Sequence, residues 1–146
     1  MSTAPTTDTT GTADSPDALL AELLALETAA MDRWGAGDPD GFLELSDDEV
    51  SYFDPWQPER LDSRAALARV YDGLRGQVQI DAYEFVTPAV VSAGDLAVLS
   101  FQFISRGSEG ARRWNTTEVY RRDPDRGWRI VHTHWSLTEA GPAVAG

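Results

Sequence analysis

The residues best able to do chemistry sit in the last third of the chain, in two segments divided by a turn. Residues 112–122 read Arg-Arg-Trp-Asn-Thr-Thr-Glu-Val-Tyr-Arg-Arg and residues 128–136 read Trp-Arg-Ile-Val-His-Thr-His-Trp-Ser, with Asp123-Pro124-Asp125-Arg126-Gly127 between them. This is the pattern of a β-hairpin. Successive side chains of a strand point to opposite faces, so Trp114, Thr116, Glu118 and Tyr120 fall together. On the partner strand Val131, Thr133 and Trp135 share one face, and His132, His134 and Ser136 share the other. Glu118 is thus a lone carboxylate among aromatic side chains. Burial there raises its pKa, and such a carboxyl serves as general acid or base near neutral pH. The other reading of Glu118 is an ion pair with an arginine of a neighbouring strand, Arg106 or Arg112.

A second set lies at residues 49–56, Glu-Val-Ser-Tyr-Phe-Asp-Pro-Trp. Tyr52 and Trp56 are placed at the mouth of a pocket, with Tyr52 as a hydrogen-bond donor to a substrate carbonyl. Asp54 is a candidate second carboxylate; two in one pocket push their pKa values apart, giving an acid and a base. The alternative for Asp54-Pro55 is turn chemistry. His132 and His134 stand two apart on a strand, a spacing that metal sites use. A closed metal site needs further ligands, and no HExxH motif or acidic cluster is near. Alternation puts both histidines on the outer sheet face, in an interface or structural role. A bulge would instead turn His132 inward as an acid or base.

These residues must be positioned by the rest of the chain. It has 146 residues, 42 % of them hydrophobic, enough for one domain with its own core. No cysteine is present, which excludes disulfides and thiolate chemistry. All twelve basic residues are arginine, which excludes lysine nucleophiles and Schiff bases. The net charge of −12 argues against nucleic acid and anionic membranes as partners. Phosphate-binding glycine loops and the GxSxG elbow are missing, and no cofactor is implied. No basic-then-apolar leader and no membrane-length apolar run is visible, so a cytoplasmic protein is expected.

Residues 1–14 are Thr-rich and nearly free of large apolar groups; they and 140–146 are expected to be flexible tails around a domain at 15–139. A helix opens at Ser15-Pro16-Asp17 and stops at Gly35 and Gly37, with Leu20, Leu23, Leu24, Met31 and Trp34 as its apolar face. A short helix follows from Asp38-Pro39 and a strand over 49–54. A third helix from Asp62-Ser63 to Gly76 carries Leu67, Val70, Tyr71 and Leu74. Four strands complete the chain, near 78–91, 96–106, 111–122 and 128–138. Pro88 removes a ladder donor and predicts a bulge or an edge. Helices first and an antiparallel meander after is α+β. A long twisted sheet with helices on one face curls into a cone-shaped half-open barrel whose interior is the pocket.

The element order, Tyr52-Phe53-Asp54-Pro55, the Gly94–Val98 hairpin and the two segments around Glu118 and Trp135 resemble the nuclear transport factor 2-like superfamily. The likeness covers roughly residues 17–138 and points to the SnoaL-like and ketosteroid-isomerase-like branch. The last hairpin also resembles the association (hub) domains of calcium/calmodulin-dependent kinases. In those hubs arginines on three strands line a pocket; the matching positions are Phe103, Glu118 and Trp135, none of them arginine. The resemblance implies that these three face the cone interior. With Trp56, Phe101, Trp114, Thr116 and Thr133 they are the expected pocket lining, suited to a small hydrophobic molecule. It further implies a homodimer through the outer sheet face. For function it implies a cofactor-independent isomerase, cyclase or dehydratase of bacterial secondary metabolism. The alternative is a non-catalytic binding or assembly domain.

Overall fold

The computed structural model describes residues 15–138; the two expected tails lie outside them. Helix α1 spans Pro16–Gly35. The Ser15 hydroxyl accepts from the Ala18 N–H at 3.1 Å, Pro16 occupies the first turn, and Asp17 lies there too. The buried face of α1 is Leu19, Leu23, Glu27, Ala30 and Met31. That stripe is one step round from the expected one and has a carboxyl at its centre. Helix α2 (Asp40–Leu45) is a short turn after the Arg33–Asp38 ion pair, 2.8 Å. Helix α3 (Arg64–Leu74) is capped by Ser63, which accepts from the Ala66 N–H at 2.9 Å, and buries Leu67 and Tyr71 at i, i+4 spacing. Gly37, at φ +92°, ties the α1–α2 loop to the end of α3: its carbonyl accepts from the Gly76 N–H at 2.8 Å.

Six strands form one sheet: β1 (Ser46–Phe53), β2 (Leu61–Asp62), β3 (Ala82–Ala93), β4 (Leu96–Gly107), β5 (Gly110–Asp123) and β6 (Gly127–Leu137). The spatial order is β2-β1-β6-β5-β4-β3. β1 runs parallel to β6 and every other neighbour is antiparallel. β3 through β6 are the expected meander. β1 starts three residues earlier than the pattern suggested, directly from α2, and the two-residue β2 had no signal of its own. The sheet is curved and unclosed, with the helices held in its concavity; this is the cone-shaped α+β architecture.

Three pairings carry a register shift: β3–β4, β5–β6, and β1–β6 between Ser46 and Ser51. The β3–β4 register shifts between Val86 and Ala89, around Pro88, with Thr87 at φ 47°. This is the bulge that Pro88 predicts. The second shift had no sequence mark: Val119 pairs with His132, but Tyr120 pairs with Ile130. Val131 is the extra residue. It breaks the strict alternation, so the buried residues of β6 are Trp128, Ile130 and Thr133, and Val131 is only half-buried. Val131 therefore does not share the inner face with Thr133 and Trp135 as expected; Ile130 takes that place.

Candidate active site

The concave face of the sheet and the three helices enclose a cavity of about 110 Å³. An apolar cavity of about 150 Å³ accepts a benzene ring, so the pocket has room for a small group or part of a ring. Its wall is aromatic. Trp34 and Tyr71 stand 4.8 Å apart between centroids, Tyr52 and Tyr71 5.8 Å, Phe103 and Trp135 5.5 Å, Trp114 and Trp135 5.9 Å, and Trp56 and Trp114 5.6 Å. Most of these pairs meet edge to face, the arrangement ring quadrupoles prefer. Phe103 comes from β4, Trp114 and Glu118 from β5, Thr133 and Trp135 from β6, Tyr52 from β1, Tyr71 from α3 and Trp34 from α1.

The three positions matched to the hub arginines, Phe103, Glu118 and Trp135, all line this cavity. Glu118 is 1 % exposed. Its Oε2 accepts from the Thr133 hydroxyl at 2.8 Å, its Oε1 has no hydrogen-bond partner, and the Trp135 indole and a neighbouring carboxyl lie beside the group. The ion-pair alternative does not occur. Arg106 pairs with Glu84 at 3.6 Å and Arg112 with Glu109 at 3.8 Å, and among the described residues no arginine bridges to Glu118. Burial raises the Glu118 pKa above the ordinary carboxylate range; the Glu27, Thr133 and Trp135 side chains oppose it by favouring the charged form.

The second carboxyl of the site is Glu27, fully buried on α1. Its Oε2 accepts from the Tyr120 hydroxyl, and its carboxyl lies within hydrogen-bonding reach of Glu118. Burial first, then the Glu118 charge, push its pKa well above the usual range. Glu27 escaped the sequence reading, although Leu23, Glu27 and Met31 stand at i, i+4, i+8, and a carboxyl inside such an apolar stripe is the signal that finds it.

Asp54 reaches the pocket wall but is spent on the turn. Its Oδ1 accepts from the N–H groups of Trp56 (2.7 Å) and Gln57 (3.0 Å), and its Oδ2 from the Tyr52 hydroxyl (2.7 Å). This is the turn chemistry that Asp54-Pro55 offers. It also commits the Tyr52 proton, so Tyr52 does not offer a free donor. The second hydroxyl of the wall belongs to Tyr71. Tyr71 lines the cavity, and its hydroxyl meets the Tyr52 hydroxyl, whose own proton goes to Asp54. Burial raises its pKa; the neighbouring Tyr52 hydroxyl opposes the rise, and the charges of Glu118, Asp54 and Glu27 add to it. These groups therefore surround one space. The sequence marked Tyr71 only as a helix-face residue.

Trp56, 58 % exposed, stands at the mouth, with the Arg112 guanidinium 5.9 Å from its ring. Trp114 donates from its indole to the Ser105 hydroxyl at 3.3 Å. Phe101 and Thr116 are buried on the same face but lie behind the wall: Phe101 packs on Phe85 at 4.9 Å, and Thr116 is the neighbour of Trp135 across the ladder. His132 does not join the site. The extra residue Val131 leaves it on the outer face, where its Nδ1 meets the Ser51 hydroxyl at 2.7 Å and its ring meets Phe53 edge-on at 5.7 Å. Burial, and then the nearby His134 and Arg60 charges, lower its pKa and favour the neutral ring. His134 packs against the same Phe53 at 5.2 Å. Among the described residues no three His, Asp or Glu side chains are grouped to hold a metal ion. No helix among them is long and apolar enough to cross a membrane.

Comparison with known proteins agrees with this architecture. The family model for the SnoaL-like domain matches residues 24–139. A candidate ketosteroid isomerase from Parabacteroides distasonis is 37 % identical, with a TM-score of 0.74 over 81 % of this chain and 86 % of that one. A candidate dehydratase of the NTF2-like family from Streptomyces avermitilis is 24 % identical, with a TM-score of 0.66 over 85 % and 99 %. The association domain of C. elegans CaMKII is 19 % identical, with a TM-score of 0.69 over 84 % and 98 %. The last two show likeness of fold. Among curated proteins no match is found.

Proposed function

The chain belongs to the SnoaL-like domain family, and from that premise we propose that it is a cofactor-independent proton-transfer enzyme of the isomerase, cyclase or dehydratase type. Its substrate is a small, neutral, hydrophobic carbonyl compound. The observation that carries the reading is Glu118: a carboxyl at the wall of an aromatic cavity, free of any arginine and raised in pKa by burial. An anionic substrate is disfavoured because the wall contains two carboxyls and no cation.

In this reading Glu118 takes a proton from the carbon next to the substrate carbonyl. The Tyr71 hydroxyl donates a hydrogen bond to the carbonyl oxygen as it gains charge. Glu118 then returns the proton to another carbon, which moves a double bond, or to a leaving hydroxyl, which departs as water. The 37 % identical Parabacteroides protein, itself a candidate ketosteroid isomerase, supports the isomerase form. Sheet-face packing of Phe53, His132 and His134 suits a homodimer, and light scattering at twice the 16.0 kDa chain mass is the expected result.

The test works across a class of compounds and does not depend on identifying the natural substrate. A panel of neutral cyclic ketones, monocyclic to polycyclic, is incubated with the protein in deuterium oxide. Loss of the α-proton signals is followed by NMR. Exchange above background that disappears in Glu118→Gln supports the reading. Equal exchange by a correctly folded Glu118→Gln removes Glu118 as the base.

A further inference from the structure

The cavity wall shows one deep carboxyl, yet the fold buries two, on elements 91 positions apart in sequence (118 minus 27). Both are essentially inaccessible: Glu27 is 0 % exposed and Glu118 is 1 % exposed. Each has one satisfied oxygen. Tyr120 donates to Glu27 Oε2, and Thr133 donates to Glu118 Oε2. Each also has one buried oxygen, Oε1, with no hydrogen-bond partner, although the Trp135 indole lies close enough to favour the Glu118 charge. Buried acceptors left empty are rare and costly.

Proton counting separates the possible states. With no proton, two charges sit side by side in a water-poor interior without a cation, which like-charge repulsion and desolvation both oppose. With two protons, two new donors face each other, and the remaining oxygens already accept from Tyr120 and Thr133. One proton satisfies both orphans at once: one carboxyl donates and the other accepts. We propose that Glu27 and Glu118 form a carboxyl–carboxylate pair that holds a single proton between them, with Glu27 as the positioning residue that sets how readily Glu118 accepts a second. This rests on the reading of Glu118 as the base.

The titratable groups facing the pair are Tyr120 on β5 and Tyr71 on α3, with Asp54 and Tyr52 beyond Tyr71 at the end of β1. Thr133 and Trp135 on β6 supply the neutral contacts. None is cationic. Glu27 lies behind the wall and Glu118 faces the cavity, so Glu118 is the member of the pair that meets a substrate. When Glu118 takes the substrate proton, the pair passes from one proton and a charge of −1 to two protons and no charge. Deprotonation of a carbon is thereby coupled to removal of a buried charge, and the reverse step restores it.

Carboxyl 13C NMR on the full chain, labelled at glutamate, tests this directly. In the unmodified protein the two buried carboxyls are expected to titrate together, with one proton still bound to the pair at pH 7, where an ordinary glutamate (pKa about 4.3) is ionised. Glu27→Gln, whose amide mimics the protonated donor, is expected to abolish the shared step and the bound proton, leaving Glu118 to titrate alone. The pH profile of α-proton exchange shifts with it while the apparent KM holds. Two buried carboxyls titrating independently in the unmodified protein overturn the pair, whatever the variants do. The two readings fail separately. If exchange depends on Glu118 but the titrations are independent, the pair falls and the base stands. If the titrations are shared but Glu118→Gln leaves exchange unchanged, the base falls and the pair stands as a structural device.

Discussion

At the mouth of the pocket Asp54 accepts three hydrogen bonds, from the Tyr52 hydroxyl and the N–H groups of Trp56 and Gln57, whereas at its floor Glu118 accepts one from Thr133 and leaves Oε1 to Glu27. Both carboxyls touch the same cavity. The mouth uses its carboxylate to build a turn, and its tyrosine proton is consumed in doing so. The floor is made by packing, and its carboxyls keep unused acceptor capacity. A side chain is available for chemistry only where the local backbone has not already taken its hydrogen bonds. That difference assigns the floor to proton transfer and the mouth to shape.

The comparison is most sharply broken by exchanging the two carboxyls. Glu118→Gln is expected to lower α-proton exchange by about 10²–10⁴-fold, the range for removing a general base. Asp54→Asn keeps a carbonyl acceptor for the turn and is expected to lower exchange by less than about tenfold, since it removes no proton acceptor from the floor. Equal losses from the two variants would dissolve the distinction between floor and mouth.

The tyrosines give the next largest contrast. Tyr71→Phe removes the hydroxyl proposed to meet the substrate carbonyl and is expected to cost about 10²–10³-fold in rate, as for one oxyanion donor. Tyr52→Phe removes a proton already given to Asp54, so its effect should be much smaller and fall mainly on stability, on the order of 1 kcal/mol for one hydrogen bond. The check is the pair of exchange rates beside the two melting curves. A larger rate loss from Tyr52→Phe would reverse the assignment.

Much of this site could be read from the chain because it is written in local rules. Ser15 and Ser63 announce helix starts, Pro88 announces a bulge, and Thr116 and Glu118 alternate inward on β5 in register with Trp135 and Thr133 on β6. What escaped depends on contacts between distant elements. Glu27 meets Glu118 only because α1 lies in the concavity of the sheet. Tyr71 and Leu67 look alike as core positions on α3; only the finished cavity shows that one brings a hydroxyl to the pocket beside Tyr52 and the carboxyls. The extra residue at Val131 is a β-branched side chain in a strand, with no glycine or proline to flag it, and it decides which face His132 occupies. The position of a bulge in such a strand is set by its neighbours, here β5 on one side and the parallel β1 on the other.

The buried pair also sharpens the comparison through stability. Both folded-state pKa values lie above the unfolded ones. The folded state therefore holds protons that the unfolded chain releases above about pH 4.3. The pair's contribution is fully present below that pH and is lost as pH rises through the folded pKa values. The loss amounts to about 1.4 kcal/mol for each pH unit crossed by each group. Asp38 and Asp123 have lowered pKa values and act in the opposite direction, losing stability as pH falls. The difference between unmodified protein and Glu27→Gln isolates the floor. Glu27→Gln should gain in relative stability as pH is raised from about 5 to about 8 in denaturant titrations, by the same linkage. A constant difference across that range would mean that Glu27 is not protonated in the fold.

The smallest expected effect belongs to Trp56. It is the most exposed aromatic of the pocket, held at the mouth by an edge contact with Trp114 and by the Arg112 guanidinium over its ring. A surface cation–π contact contributes about 0.5–1 kcal/mol, so little energy fixes the ring at the mouth. The cavity, at about 110 Å³, is smaller than a multi-ring ketone, so a large substrate must extend past Trp56 at the mouth. Trp56→Ala removes binding surface that contacts ground state and transition state alike. It should raise KM a few-fold with kcat unchanged, the signature of lost uniform binding. The rise should be steepest for monocyclic ketones, which depend on the ring to cover them, and shallow for polycyclic ones, which extend past it. A fall in kcat instead would bring Trp56 into the reacting geometry, and the mouth would no longer be a matter of shape alone.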